Sequence, residues 1–541
     1  MSPADPAAGP AHPYVVESFS EHERAILARH VTNLDRPVFA LRGLPEVAKG
    51  ALFARYSRSA KSLRRLLLDE FAQDLPEDGG ADAEHGRADR LYERVFVEYG
   101  DDSVAQLGGA HVAIEQASNL LTKIVEWGRL AAYLEQSTRY VPYDDQPGGR
   151  WRYYRDPDVM ASRHGPAYVE ALDAVFATYA ELLPALREHL ATRHPRDPEV
   201  SERAWQRSLS AKACDVLRGL LPAATVSNVG VFASGQAYEQ MLLRLRGHEL
   251  AEARATGDAL LTELRQVIPA FLTRVDRPDR GEAWADYQRR TREDTRAVAA
   301  DLIGDQEPAP AAEVELVDWE PDAEIELVTG ALYPHTHLPE RQLREQVLDM
   351  TGEERARVLR AFVGERGNRR HKPARALERV WYRFDVLSDY GAFRDLQRHR
   401  MLTIDWQELS PRHGYDTPAE LVDAGLEAPW HEALQRQADL WARLHPDLPR
   451  QSQYAVGFAW RLRYALQLNA RAAMQMLELR TQPAGHPSYR RVAQRMHEAI
   501  AQRAGHHAVA EMMRFVDHSD PELERLEAEQ RTERRQGGTG G

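Results

Sequence analysis

Arg398-His399-Arg400 is followed by Glu408-x-Ser410-x-Arg412-His413, and the latter part occurs earlier as Glu135-Gln-Ser137-Thr-Arg139-Tyr140. A cationic triplet, then a carboxylate, a hydroxyl and an arginine at alternate positions, describes a site for a phosphorylated ligand that carries a ring. The planar guanidinium fork pairs with phosphate in bidentate fashion, while Glu and Ser can hold a sugar or a base edge. A basic triplet alone is ordinary at a helix end, where cations gain about 0.3–1 kcal/mol against the helix dipole. The downstream alternation adds what that reading lacks. In an extended segment Glu408, Ser410 and Arg412 share a face and can meet one ligand.

A second polar set lies in Asn469-Ala-Arg471-Ala-Ala-Met-Gln475-Met-Leu-Glu-Leu-Arg480, where Asn469, Arg471, Gln475 and Arg480 stand among Leu and Met. A solvated helix face is the plain alternative. Pro334-His-Thr-His337 and His506-His507 have no third ligand at a recognisable spacing, so no metal site is expected. Cys214, the single cysteine, excludes an intrachain disulfide, and with no activating histidine motif beside it reads as a small buried residue. Neither Gly-x-Gly-x-x-Gly nor a P-loop occurs, so arginines would have to hold any nucleotide.

The elements that position these residues read as mostly helical. Ala167–His189 and Glu432–Leu444 repeat apolar residues at spacings of three and four. The clearest strand alternation is Ala312–Val328, where Val-Glu-Leu-Val-Asp and Ile-Glu-Leu-Val flank a Glu-Pro-Asp turn. His111–Tyr140 parallels Tyr382–His413, and Leu217–Leu245 parallels Ser452–Arg480; both pairs are expected to be helical, and together they describe an internal duplication. Between these blocks Arg139 to Arg218 covers 79 positions and Arg412 to Gln453 only 41, which predicts an insertion in the first half or a deletion in the second, on the exposed side of the repeat.

The 541 residues allow two to four domains. The expected divisions are a first domain at 14–303, a linker at 304–312, a second domain at 313–520, and disordered tails at 1–13 and 521–541. A net charge of −13 argues against a general nucleic-acid partner, although arginine dominates: only five of the 70 basic residues are Lys. The longest apolar run, Leu217–Ala233, is broken by Arg218, Pro222 and Asn228, so no membrane partner is expected. The N-terminus shows no secretory pattern, and cytoplasm is the expected location.

The paired motifs resemble the signature of the flavin-dependent thymidylate synthases, Arg-His-Arg-x-x-Ser-x-Asn-Glu-x-Ser-x-Arg-Tyr. The resemblance covers most of both halves, with about a dozen specific positions. It implies an α+β fold of two tandem domains, each mostly helical with a small antiparallel sheet. It also implies bound FAD, a dUMP site, methylenetetrahydrofolate and NADPH as co-substrates, and a homodimer that mimics the family's tetramer.

Residue by residue, the resemblance assigns Glu378, Arg398, His399, Arg400, Asn469, Arg471 and Gln475 to the cofactor, together with Ser103; Ser57 resembles a second hydroxyl near the flavin. Arg480 matches the arginine implicated in ionising uracil N3, and so takes the catalytic role. Both halves depart from the pattern. Trp127-Gly128-Arg129 stands for the triplet and Ser234-Gly-Gln236 for Asn-x-Arg in the first; Asp405-Trp406 stands for Asn-Glu in the second, with two residues inserted before Glu408. Gln453 occupies a phosphate-facing arginine's place, and Asp395 that of a substrate-facing Gln. The first half keeps Glu135, Ser137, Arg139 and Arg218; the second keeps Arg398 and Arg480. In the family one subunit supplies the triplet and the N3-facing arginine, and a neighbour supplies the rest. One composite substrate site between the halves is therefore expected, for methylation of uracil C5 in dUMP. The alternatives are the same chemistry on another uracil nucleotide, or a non-catalytic flavin- or nucleotide-binding scaffold.

Overall fold

The computed structural model describes residues 17–520 except 37–38, 45, 57–60, 72–105 and 305, with 523, 526, 529 and 530 beyond them. Ser57, Ser103, the expected loop Glu77–Gly86, residues 1–13 and most of 521–541 lie outside the described residues.

Each half is built on a small antiparallel sheet. In the first, β1 (Gly109–Ser118), β2 (Ala131–Glu135) and β3 (Val226–Ser234) are ordered β1-β3-β2; in the second, β4 (Val314–Trp319), β5 (Trp381–Asp389), β6 (Thr403–Trp406) and β7 (Arg461–Asn469) are ordered β4-β5-β7-β6. Removing the edge strand β4 leaves the same order in both. The expectation of a long helix over His111–Tyr140 and Tyr382–His413 is therefore corrected: each is strand, short helix, strand. Alternation decides it. Tyr382, Phe384, Val386 and Ser388 are buried while Arg383 points out, the period of two that a one-faced strand requires. The second pair of blocks is likewise half strand: β3 precedes α4 (Gly235–Arg246) and β7 precedes α9 (Ala470–Arg480).

Helices follow each strand at equivalent places. α1 (Asn119–Val125) follows β1 and α7 (Tyr390–Leu396) follows β5, capped by the side chains of Ser118 and Asp389; α4 and α9 are capped by Ser234 and Asn469. Ile325–Val328, expected as a strand, lies instead in α6 (Ala323–Leu332), whose Ala323, Leu327 and Val328 face the core at helical spacing.

The extra length of the first half is taken up by α2 (Gly165–Arg193) and α3 (Glu202–Leu217). In the second half α8 (Glu427–Leu444) is followed only by a short 3-10 turn before β7. α3 is not an exposed insertion. Every residue from Ala211 to Leu217 is buried, and α2 packs against both α3 and α8. α5 (Ala251–Leu264) and α10 (Pro487–Gln502) complete the two units.

A single cluster of buried apolar residues runs through both halves, from Ala110 to Met513. The halves also share backbone bonds: Ala223 N to Val456 O at 2.8 Å, Phe458 N to Leu221 O at 3.0 Å and Ala459 N to Gly219 O at 2.9 Å. Gly219 is required at this crossing, since a Cβ there would lie 2.5 Å from the Trp430 ring.

Candidate active site

Four arginines from the two halves surround one carboxylate. Asp395 is the penultimate residue of α7, a helix buried on every side, and Arg398 lies two residues beyond the end of that helix. Arg480 is the last residue of α9, Arg218 comes directly after α3, and Arg139 lies beyond β2. Asp395 stands 3.5 Å from Arg218, 3.6 Å from Arg480 and 4.0 Å from Arg398. Burial alone would raise the Asp395 pKa, but Arg398, Arg218, Arg480 and Arg139 together hold it far below the usual carboxylate range. Burial lowers the pKa of Arg218, whose Nη2 has no hydrogen-bond partner among the described residues. The cluster is reachable from the Arg398 side, where 37% of that side chain is exposed.

Glu135 sits beside this group and faces protein cations. It accepts from Arg398 at 2.5 Å, Arg394 at 2.8 Å and Lys123 at 3.2 Å, with no side-chain surface left to solvent. Burial opposes its ionisation, but Arg394, Lys123 and Arg398 keep it ionised. Arg139 makes two 2.7 Å bonds to Asp215 on α3 and donates to the Tyr489 hydroxyl at 3.1 Å. Ser137 Oγ accepts from the Arg139 amide at 3.3 Å. The expected set Glu135, Ser137, Arg139, Arg218, Arg398 and Arg480 is thus one contiguous group, but Glu135 and Arg139 are held by partners the sequence reading did not contain.

Arg480 is fixed from three directions. Its Nε donates to His399 Nε2 at 2.8 Å, Nη1 faces Asp395, and the guanidinium lies 5.4 Å from the centre of the Tyr489 ring. An imidazole that accepts this bond is neutral, with its proton on Nδ1. Burial pushes the His399 pKa well below its ordinary value, in agreement. Tyr489 also lies under Arg139, at 5.7 Å, so one aromatic ring serves an arginine from each half.

The residues expected to hold a cofactor lie around the start of α9. Asn469 uses its amide oxygen to cap the helix, accepting from Ala472 N at 2.8 Å. Arg471 donates to the Pro373 carbonyl at 3.2 Å and to Glu378 at 3.3 Å, and Lys372 donates to Gln475 Oε1 at 2.6 Å. Arg400 is engaged with the Ala131 carbonyl. A cavity of about 650 Å³ opens between the halves, lined by Trp127, Gln236, Gln240, Arg244, His399 and Arg400. Among the described residues no group of three or more His, Cys, Asp or Glu stands where it could hold a metal ion.

The pseudo-symmetric positions build no such cluster. Trp127 stands where the second half has Arg398, with its ring edge-on to Trp406, and the buried Leu245 stands for Arg480. The segment Glu408–Arg412 is not extended throughout, because Pro411–His413 turns into a 3-10 helix. Glu408 is exposed and pairs with Arg450, and Gln453 accepts from the Leu409 amide at 3.1 Å. Lys123, Arg394, Asp215 and Tyr489 are the functional-site residues that motif reading missed. Arg394 alone carried a signal, four residues before Arg398 in the sequence.

The model of the thymidylate synthase complementing protein family matches residues 51–270 and again 315–514. A UPF0159 protein of Chlamydia muridarum is 40% identical over 521 residues, covering 95% of this chain and 98% of its own. A flavin-dependent thymidylate synthase of a Mycobacterium species is 30% identical over 185 residues, 33% of this chain and 67% of that protein. The flavin-dependent thymidylate synthase of Helicobacter pylori, solved with FAD and dUMP, covers 37% of this chain and 97% of its own at 17% identity and a TM-score of 0.27.

Proposed function

This chain belongs to the thymidylate synthase complementing protein family, and on that premise we propose that it methylates uracil C5 in dUMP at one composite site between its halves. The observation that carries this is the convergence of Arg139 and Arg218 from the first half with Arg398 and Arg480 from the second, around Asp395. Neither half holds that set alone.

The chemistry follows from Arg480. Uracil C5 is a poor nucleophile until N3 loses its proton, and a guanidinium beside N3 stabilises the anion and lowers its pKa. Neutral His399 takes the Arg480 Nε proton donor, which fixes the plane of the fork without adding a competing charge. Arg218 and Arg398 are the phosphate-facing groups, and Arg139, tied to Asp215, braces the first-half side. Ser137 orients the nucleotide; no covalent nucleophile is needed.

FAD, in its reduced form, would supply the hydride that completes the methyl group. The donors along α9 suit it: Arg471 and Lys372 offer cations to a pyrophosphate, and Asn469, Gln475 and Glu378 offer groups for ring edges. His399 and Arg400, which line the 650 Å³ cavity, extend that surface. Methylenetetrahydrofolate and NADPH are the proposed one-carbon donor and reductant. We assign the two thymidylate synthase-like domains to 14–303 and 313–520, joined by a linker at 304–312, and two chains to a homodimer. No helix among the described residues is long and apolar enough to cross a membrane, and the single cysteine supports a cytoplasmic setting.

The test is a titration of the purified full-length chain with FAD and then dUMP, followed by assay of dTMP with the folate and NADPH. Flavin absorbance retained after desalting, one dUMP per chain and dTMP formation are expected. A chain that takes up no FAD would remove the proposal. Asp395 and Gln453 favour one second reading, the same chemistry on a different uracil nucleotide; product formed from UMP and not from dUMP would select it. Trp127-Gly128 favours a scaffold without turnover, which failure to rescue a thymidine auxotroph, despite flavin and dUMP binding, would select.

A further inference from the structure

One carboxylate of the cluster is surrounded without being closely bonded. The three distances from Asp395 to Arg218, Arg480 and Arg398 are 3.5, 3.6 and 4.0 Å. Other buried pairs of this chain close far more tightly: both bonds of Arg139 to Asp215 are 2.7 Å, both of Arg366 to Glu478 are 2.6 Å, and Arg398 meets Glu135 at 2.5 Å. A charge-assisted N–H···O bond settles at about 2.7–2.9 Å. Asp395 therefore holds a central place among three guanidinia and is captured by none.

Packing keeps it there. Asp395 sits on a helix buried on every side. Arg218 lies against Gly391 one turn earlier, where an added Cβ would be 3.1 Å from its Nη2. The charges do not cancel. Arg139 has Asp215 and Arg398 has Glu135, whereas among the described residues Arg218 and Arg480 share only Asp395 as a carboxylate at ion-pair distance. Asp389, the other carboxyl near Arg218, accepts from the Ala392 amide and the Ser488 hydroxyl and adds a longer-range attraction. At ion-pair distance two guanidinia meet one carboxylate, an excess of positive charge open on the Arg398 side.

We propose that Asp395 is a resident counter-ion of the nucleotide site: it keeps Arg218, Arg398 and Arg480 converged while the site is empty, and its charge sets how strongly the site takes a phosphate dianion. It is a specificity-determining residue that acts through the arginines. This rests on Arg218 and Arg398 being the phosphate end of the proposed uracil-nucleotide site, with Arg480 at its base end. A ligand phosphate must share Arg218 and Arg398 with a fixed anion, so affinity for charge is restrained and recognition shifts towards the base and sugar. Two substitutions move the balance in opposite directions. Asp395→Asn removes the competing charge while keeping shape. Asp395→Glu keeps the charge and lengthens the arm by one methylene, which closes the 3.5–4.0 Å gap and ties the guanidinia up.

The experiment is calorimetric titration of the full-length chain at pH 8 with inorganic phosphate, dUMP and the uncharged nucleoside deoxyuridine. Asp395→Asn should bind phosphate and dUMP at least tenfold more tightly and deoxyuridine as wild type does; Asp395→Glu should bind phosphate and dUMP several-fold more weakly. A merely structural role would weaken both variants. Losses in both, or no change in either, would overturn the proposal. Should Asp395→Asn fail to fold, Asp395→Glu decides alone, and unchanged or tighter phosphate binding there overturns it. The phosphate arm separates this inference from the functional reading. Opposite phosphate shifts in a chain that ignores dUMP would uphold the counter-ion and sink the uracil site. A dUMP affinity indifferent to both substitutions would do the reverse.

Discussion

Arg400 donates to the backbone carbonyl of Ala131, and 271 positions earlier in the chain Arg129 donates to the carbonyl of Leu402 at 3.1 Å. Ala131 and Leu402 are themselves 271 positions apart, so the two loops exchange the same bond across the axis relating the halves. This explains the pattern left in the first triplet. Trp127 and Gly128 replace the residues that would face a ligand, while Arg129 remains as the residue that joins the loops.

The same asymmetry predicts unequal costs at Glu135 and Glu408. Glu135→Gln leaves Arg394 in the interior without its carboxylate and Lys123 with Glu126 alone, a loss of about 3–5 kcal/mol for a broken buried pair. Glu408 is 45% exposed, and Glu408→Gln should change stability by about 0–1 kcal/mol. Denaturant unfolding of the two variants measures this; equal losses would contradict the division of labour between the halves.

Arg139 and Asp215 should behave as a unit. Arg139→Ala removes the bidentate partner of the buried Asp215 carboxylate and should cost about 3–5 kcal/mol, while adding Asp215→Ala should recover part of that loss without restoring dUMP binding. Ser410→Ala with Arg412→Ala, at the counterpart positions in the second half, should leave dUMP binding near wild type. A second-half pair as damaging to binding as Ser137→Ala with Arg139→Ala would show that two sites exist per chain.

Glu252 should make stability fall as pH rises. It is buried, accepts from the Ser118 amide at 2.9 Å, the Ser118 hydroxyl at 2.6 Å and the Tyr454 hydroxyl at 2.7 Å, and burial pushes it up to about 7 from an ordinary 4.5. Between pH 4.5 and 7 the folded chain keeps a proton that the unfolded chain has lost. The stabilising contribution is complete below 4.5 and disappears as pH rises through 7, with a span on the order of 3 kcal/mol. Glu252→Gln should flatten the dependence of the melting temperature on pH across this window. An unaltered slope would mean that another group titrates.

Arg480→Lys keeps the charge but loses the planar fork and the Nε bond to His399. Flavin content should stay near wild type while dTMP formation falls by about 10²–10³, as for removal of an electrostatic stabiliser. Unimpaired turnover in the Lys variant would take Arg480 out of the mechanism.

The duplication and the composite set were legible because they rest on spacing, which survives in any conformation: Glu135, Ser137, Arg139, Arg218, Arg398 and Arg480 do assemble. The strands were misread because β5 also carries apolar residues at helix-like spacings, such as Tyr382, Val386 and Leu387, and only pairing with β7 and β4 settles the period. Partners such as Asp215 and Tyr489 were invisible for another reason. Both sit on helices whose motifs carry no catalytic pattern, and only folding brings Tyr489 within reach of an arginine 350 positions away.

The Glu135 ion pairs set a schedule for synthesis. Arg394 and Arg398 are 259 and 263 positions downstream of the carboxylate they neutralise. At about 5–20 residues per second they leave the ribosome roughly 13–50 s after Glu135 does. Through that interval the nascent first half holds an anion destined for the interior with Lys123 as the only one of its three cations yet made. A gene split within residues 304–312 would make that state permanent, so the two fragments should be recovered together only when they are co-translated or mixed before either is asked to fold alone.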